Sequence, residues 1–255
     1  MIAEPDFRLA DFEPADAASE LAESSIWAGD LTILAEHHTT PESTHSYLVA
    51  HDRSKTWGVP GEPQLVAIKI TRDSHGRTFT FETANHASLA FAQSWLIERG
   101  CPPERIAQGK GDSLKPADDL TLWIEQQIRE SGSRYKVLDS WTSDFTPYET
   151  WTLTRDANAT QTPIRLFIEA GDNEAHTYTM REGTFADEAA ACRWLEDRGS
   201  PLPQPPDYRG EAAARLTRAA LTRSSGASAI PKAGLDTGNA TLAGKAQRPN
   251  PRRPI

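Results

Sequence analysis

Residues 94–102 read SWLIERGCP, and residues 193–201 read RWLEDRGSP. Each phrase describes the end of a helix. The arginine suits the negative pole of the helix dipole, the glycine accepts a left-handed C′ position, and the proline two residues later stops continuation. One chain therefore carries the same ending twice, at Gly100 and Gly199. Recurrence of so specific a phrase predicts that the unit in front of it recurs as well.

Upstream, the match continues. LTILAEHHTTPESTHSYLVAHD (31–52) lies without a gap over YKVLDSWTSDFTPYETWTLTRD (135–156). LVAIKI (65–70) then lies over IRLFIE (164–169), and DSHGRTFTFE (73–82) over DNEAHTYTMR (172–181). Alternation at Tyr47, Val49 and His51, and at Trp151, Leu153 and Arg155, predicts strands, as do Phe79 and Phe81 beside Tyr178 and Met180. Taking Val66, Ile68 and Ile70 as one buried face, and Ile164, Leu166 and Ile168 as its equivalent, implies a one-residue length difference in the Asp-led turn that follows. A slip of one residue turns a strand's buried set outward. Helices are predicted near 16–26, 87–99, 118–132 and 186–198, with apolar stripes such as Leu120, Trp123, Ile124 and Ile128.

The fold class these patterns imply is α+β. Two tandem αββββα repeats are expected, each a four-stranded, mainly antiparallel sheet with a helix packed on it. Residues 1–14 read as a leader, 15–108 as the first repeat, 109–116 as a linker and 117–206 as the second repeat. In the tail, 207–255, the segment EAAARLTRAALTR (211–223) predicts a helix. The rest is rich in Gly, Ala, Pro and Ser without periodicity and is expected to be disordered.

With 255 residues, 38% hydrophobic and 25% charged, a globular body is expected. No apolar run approaches the roughly 18–20 residues that span a bilayer. The acidic start MIAEPDFRLADFEP has neither the basic nor the apolar region of a signal peptide. A cytoplasmic protein without membrane association is expected, its two thiols reduced. Cys192, on a helix, reads as a core residue, and Cys101, just past one, as exposed. The net charge of −9 is divided: residues 1–206 carry 18 Lys+Arg against 33 Asp+Glu, and residues 207–255 carry nine against three. An acidic body precedes a basic tail.

His37, His38, His45 and His51, with Glu36 and Glu42, cluster in the sequence as metal ligands sometimes do. Adjacent strand residues point to opposite faces, however, and the matched positions of the second copy hold Trp141, Thr142, Glu149 and Arg155. No metal, cofactor or catalytic residue is expected. The chain has no G-x-S-x-G elbow, no H-E-x-x-H and no phosphate-cradling glycine loop. Identities between the copies, such as Trp95/Trp194, Leu34/Leu138 and Asp73/Asp172, are core, cap or turn residues. Trp95, Trp123 and Trp194 sit on apolar helix faces. Trp57, Trp141, Phe145 and Tyr148, in or beside the loops, are the candidates for an interaction surface.

The order of four strands and then a helix, in a duplicated chain, resembles PUR-type single-strand nucleic-acid binders in topology. That likeness implies a surface of cations and aromatics, which the acidic body would oppose. TILAEHHTTPESTHSYLVAHD, in an Ala/Arg/Asp/Thr-rich chain, resembles uncharacterised duplicated-domain proteins of high-GC actinobacteria, some linked to mobile elements. That resemblance brings no activity with it.

Three functions stay open. The leading one is a non-catalytic interaction module whose acidic body suits a protein partner with a basic surface. The alternative is a nucleic-acid accessory protein whose tail arginines (Arg215, Arg218, Arg223, Arg248, Arg252 and Arg253) contact phosphates. The third is an enzyme with one active repeat.

Overall fold

Among the described residues ten strands form two five-stranded sheets. The first holds β1 (Glu13–Pro14), β2 (Leu31–His38), β3 (His45–Asp52), β4 (Leu65–Asp73) and β5 (Thr78–His86), in the order β1-β5-β4-β3-β2. The second holds β6 (Lys115–Pro116), β7 (Tyr135–Thr142), β8 (Glu149–Asp156), β9 (Ile164–Asp172) and β10 (Thr177–Phe185), in the order β6-β10-β9-β8-β7. The computed structural model describes residues 7–39, 44–57, 60–107, 114–143, 145 and 148–205, all within one compact unit, Met1–Pro206. The expected tail helix and its arginines lie outside the described residues.

Five strands replace the expected four, because leader and linker each supply a short edge strand. The long strands pair antiparallel, whereas β1 and β6 pair parallel with β5 and β10. An uncovered β5 or β10 would present a row of unsatisfied backbone groups. Glu13 N and Ala15 N donate to Arg77 O and Phe79 O at 2.9 and 2.8 Å, and Lys115 N and Ala117 N donate to His176 O and Tyr178 O at 3.1 and 2.8 Å. Pro14 and Pro116 sit between these donors, where no N–H is needed. The leader also packs Phe7, Leu9 and Phe12 onto the first core.

Among the described residues five helices cover the sheets: α1 (Ala17–Ser24), α2 (Leu89–Glu98), the short α3 (Pro103–Ile106), α4 (Asp119–Arg129) and α5 (Glu188–Asp197). Asp16, Asp118 and Asp187 cap α1, α4 and α5, accepting from the amides of Ser19, Thr121 and Ala190. The Ser19 hydroxyl also accepts from Phe81 N at 3.2 Å, and that of Thr121 from Met180 N at 3.0 Å, tying each helix to a strand.

Ala22 of α1 and the following Ile26 pack on the face of the first sheet that holds Leu48, Val66, Ile68 and Ile70. Its other face, with Val49 and Ala67, meets Ala92 and Leu96 of α2. Between the sheets α2 packs on α4, and Phe91 meets Phe167 of β9 edge-on, ring centroids 5.3 Å apart. Buried from both sides, α2 is apolar almost all round. Ala191, with Ala190, Trp194 and Leu195, packs α5 on the far face of the second sheet.

Two backbone expectations are corrected. Leu65 stands opposite His51, and Ile164 opposite the matched Arg155, so Leu65 and Ile164 correspond and the following turn has equal length in both halves. The large aliphatics have therefore changed faces. Val66, Ile68 and Ile70 turn toward α1, whereas Ile164, Leu166 and Ile168 turn toward α5. The face of the second sheet toward α4 instead carries Arg165, Phe167 and Glu169. At the helix ends, Gly100 is left-handed (φ +96°) and closes α2 with paired 3.0 Å bonds from its own N to Ile97 O and from Cys101 N to Leu96 O. In α5 the left-handed residue is Arg198, not Gly199. Its guanidinium is held by Glu149 at 2.7 Å.

The cysteine expectation is reversed. Cys101 is 2% exposed, because α3 folds back under the sheet and Ile106 joins the same cluster, whereas Cys192 lies on the outer side of α5.

Candidate functional site

The swap of faces puts polar side chains in the middle of the molecule. Thr150, Thr152, Thr154, Asp156, Arg165 and Glu182 are all buried on the inner face of the second sheet. Part of this set is structural. Arg165 meets Asp156 at 3.0 Å and Glu182 at 3.4 Å, and Arg134 holds both oxygens of Asp156 at 2.8 and 2.7 Å. Burial alone would raise the Asp156 carboxyl, but the Arg134 hydrogen bonds and the Arg165 charge hold it below the ordinary range. The two carboxylates and two guanidiniums neutralise one another.

Toward the other end of the same face lies a cleft of about 700 Å³. Both halves wall it. Leu34, Leu65 and Leu89 come from the first sheet and α2; Leu122, Glu125 and Arg129 from α4; Tyr148, Glu169 and Tyr178 from the second sheet and its approach loop. Lys115, at the β6 edge, and His51 also reach it, the His51 Nε2 lying 3.2 Å from Gln64 Oε1. The size falls within the roughly 300–1,000 Å³ of small-molecule pockets.

Two carboxylates meet at the second-sheet end. Glu125, buried on α4, accepts a short hydrogen bond from the Tyr178 hydroxyl and pairs with Arg129 at 3.6 Å. Arg129 in turn donates to Gln93 Oε1 at 3.4 Å. Among the described residues, Glu169 receives one hydrogen bond, from the Tyr148 hydroxyl at 3.4 Å. Burial, reinforced by the charge of Glu125, pushes the Glu169 carboxyl up to about 8, so it holds its proton at neutral pH. Burial and the neighbouring carboxylates raise both tyrosine hydroxyls, which remain donors.

The expected interaction residues are dispersed. Tyr148 turns into the cleft. The Trp141 ring packs under the loop of Gly61, whose carbonyl accepts from Thr142 N at 3.1 Å. Phe145 is 82% exposed. Trp57 ends the turn Arg53–Trp57, and its side chain lies outside what is described. Trp95 and Trp194 are half-buried, each under the arginine that follows it (Arg99 at 3.7 Å, Arg198 at 5.8 Å). His37 and His45 stack on Tyr47, and His38 Nδ1 lies 2.8 Å from Ser46 Oγ. Among the described residues no three His, Cys, Asp or Glu side chains gather to hold a metal ion, and no helix is long and apolar enough to cross a membrane.

Sequence reasoning missed Glu125, Glu169 and Tyr178, although a signal existed. At the true register Glu169 matches Ile70 and Tyr178 matches Phe79, both core residues of the first half. There Phe7, Leu9 and Phe12 pack against this core, whereas Glu169 and Tyr178 line the cleft. Comparison of the chain with protein-family models, with curated proteins and with solved structures finds no match.

Proposed function

We propose that the protein is a non-catalytic binding module, built from two copies of one αβ unit, whose central cleft takes a small organic ligand. The matching strand orders, the matched Asp caps and the paired Ser19 and Thr121 ties support descent of the halves from one unit. The observation that carries the reading is the 700 Å³ cleft walled by both halves, with aliphatic sides and a polar end. Where the first half has the core residues Ile70 and Phe79, the second has the hydrogen-bonding Glu169 and Tyr178 on the cleft.

Native mass spectrometry of the full chain, purified gently from its host, tests this. A small molecule bound at one per chain, absent from a Leu122→Trp variant, is the expected result. Leu122 is half-exposed on α4, so the indole fills the cleft without displacing core. No adduct, together with no thermal shift from a metabolite library that distinguishes wild type from the variant, would overturn the reading.

Exposed Leu21 (71%), Trp27 (74%) and Phe145 favour a second reading, docking of a protein partner. For the nucleic-acid reading the support is the +6 tail alone. A gel-shift comparison of the full chain with a 1–206 truncation, at low and moderate salt, decides it.

A further inference from the structure

We infer that the cleft is a site for a protonated aliphatic amine, with its ammonium group between Glu125 and Glu169 and its hydrocarbon body along the leucines. This rests on the cleft reading above and names its ligand class.

Once ionised, Glu169 offers two acceptor oxygens and receives one long hydrogen bond, so the polar end then carries a surplus of acceptors. An ammonium supplies three donors and a positive charge, which a pair of neighbouring carboxylates lacks. Tyr148 and Tyr178 add ring faces, the usual complement of an organic cation. Leu34, Leu65, Leu89 and Leu122 suit a chain of methylenes, each worth about 0.8 kcal/mol when buried.

The cationic side chains nearby do not already fill this role. Arg129 is committed to Glu125 and Gln93. Lys115 reaches the cleft from the exposed β6 edge, and among the described residues neither Glu125 nor Glu169 pairs with it. An anion would have to bind beside Glu125, against its charge.

Glu169 must release its proton to receive the cation. The charged and titratable groups that line the cleft with it are Glu125 and Arg129 on α4, Tyr148 before β8, Tyr178 on β10, Lys115 on β6 and His51 on β3. A change from pH 6.5 to 8.5 crosses the Glu169 value of about 8 and should tighten amine binding about 20-fold.

Calorimetric titration of the full chain with three probes of one length (n-hexylamine, 1-hexanol and hexanoate) tests the assignment. At pH 8.5 hexylamine should bind at least tenfold tighter than hexanol, and hexanoate weakest. Glu169→Gln should remove the amine advantage and its pH dependence, bringing hexylamine to the affinity of hexanol. Leu122→Trp should weaken all three. Replacing hexylamine with N-acetyl-lysine methylamide separates a free amine from a lysine held on a backbone, and saturable binding of either supports the site. Preferred binding of hexanol or hexanoate, or an undiminished amine preference in Glu169→Gln, overturns the ligand class and leaves the cleft standing. No binding by any probe overturns both.

Discussion

Replacing Glu169 by glutamine should stabilise the protein, increasingly so as the pH rises. Below about 4.5 the carboxyl is protonated in both folded and unfolded chains and contributes no pH dependence. Between 4.5 and about 8 the folded state keeps a proton that the unfolded state has released, so native stability falls with rising pH. At about 1.4 kcal/mol per unit, the whole interval costs about 5 kcal/mol, of which about 3 has accrued at pH 7. Water entering by the cleft screens part of this, and about 2 kcal/mol at pH 7 is the expected measurement. Glutamine is neutral, of the same size, and still accepts from Tyr148. Urea unfolding of both proteins, followed by tryptophan fluorescence at pH 5, 6, 7 and 8, gives the difference directly, and titrations common to both cancel. Near parity at pH 5 and an advantage for the variant that grows toward pH 8 are expected. A difference that is flat across this range, or a wild type that is the more stable at pH 8, would refute the placement of Glu169 as a desolvated acid beside Glu125.

Three further outcomes can be measured. Arg165→Met removes the buried arginine that bridges Asp156 and Glu182 and should cost about 3–5 kcal/mol in denaturant titration, whereas the exposed Arg155–Glu188 pair should change stability by under about 1 kcal/mol when Arg155 is replaced by Met. Gly61 has φ +85°, and a Cβ there would lie 2.1 Å from the Trp141 ring. Gly61→Ala should therefore lose about 2 kcal/mol or more and shift the near-ultraviolet dichroism, while Gly132→Ala, with φ +52° and open space, should lose only the backbone strain of about 1–2 kcal/mol. Burial pushes the Cys101 thiol up to about 12, so iodoacetamide should label one cysteine per native chain, Cys192, and reach Cys101 only after unfolding; two labels on the native protein would contradict the packing of α3.

The sequence by itself determined the eight long strands, the four longer helices and the Asp-led turns, because each is set by local periodicity and by residues that cap or turn the chain within a few positions. It did not disclose the edge strands, since two residues at Glu13 and Lys115 carry no period and pair only once β5 and β10 exist. Nor did it disclose the site. The aliphatic alternation in IRLFIE reads the same whichever way the strand faces, and only the pairing of Ile164 with Arg155 decides that Leu166 turns to α5 and Glu169 to α4. The register belongs to the sheet, not to the strand. Tertiary structure alone therefore brought Glu125 from a helix and Glu169 and Tyr178 from two strands to one end of a cleft. What makes those groups chemically distinctive is the removal of water around them, and no single stretch of chain contains that.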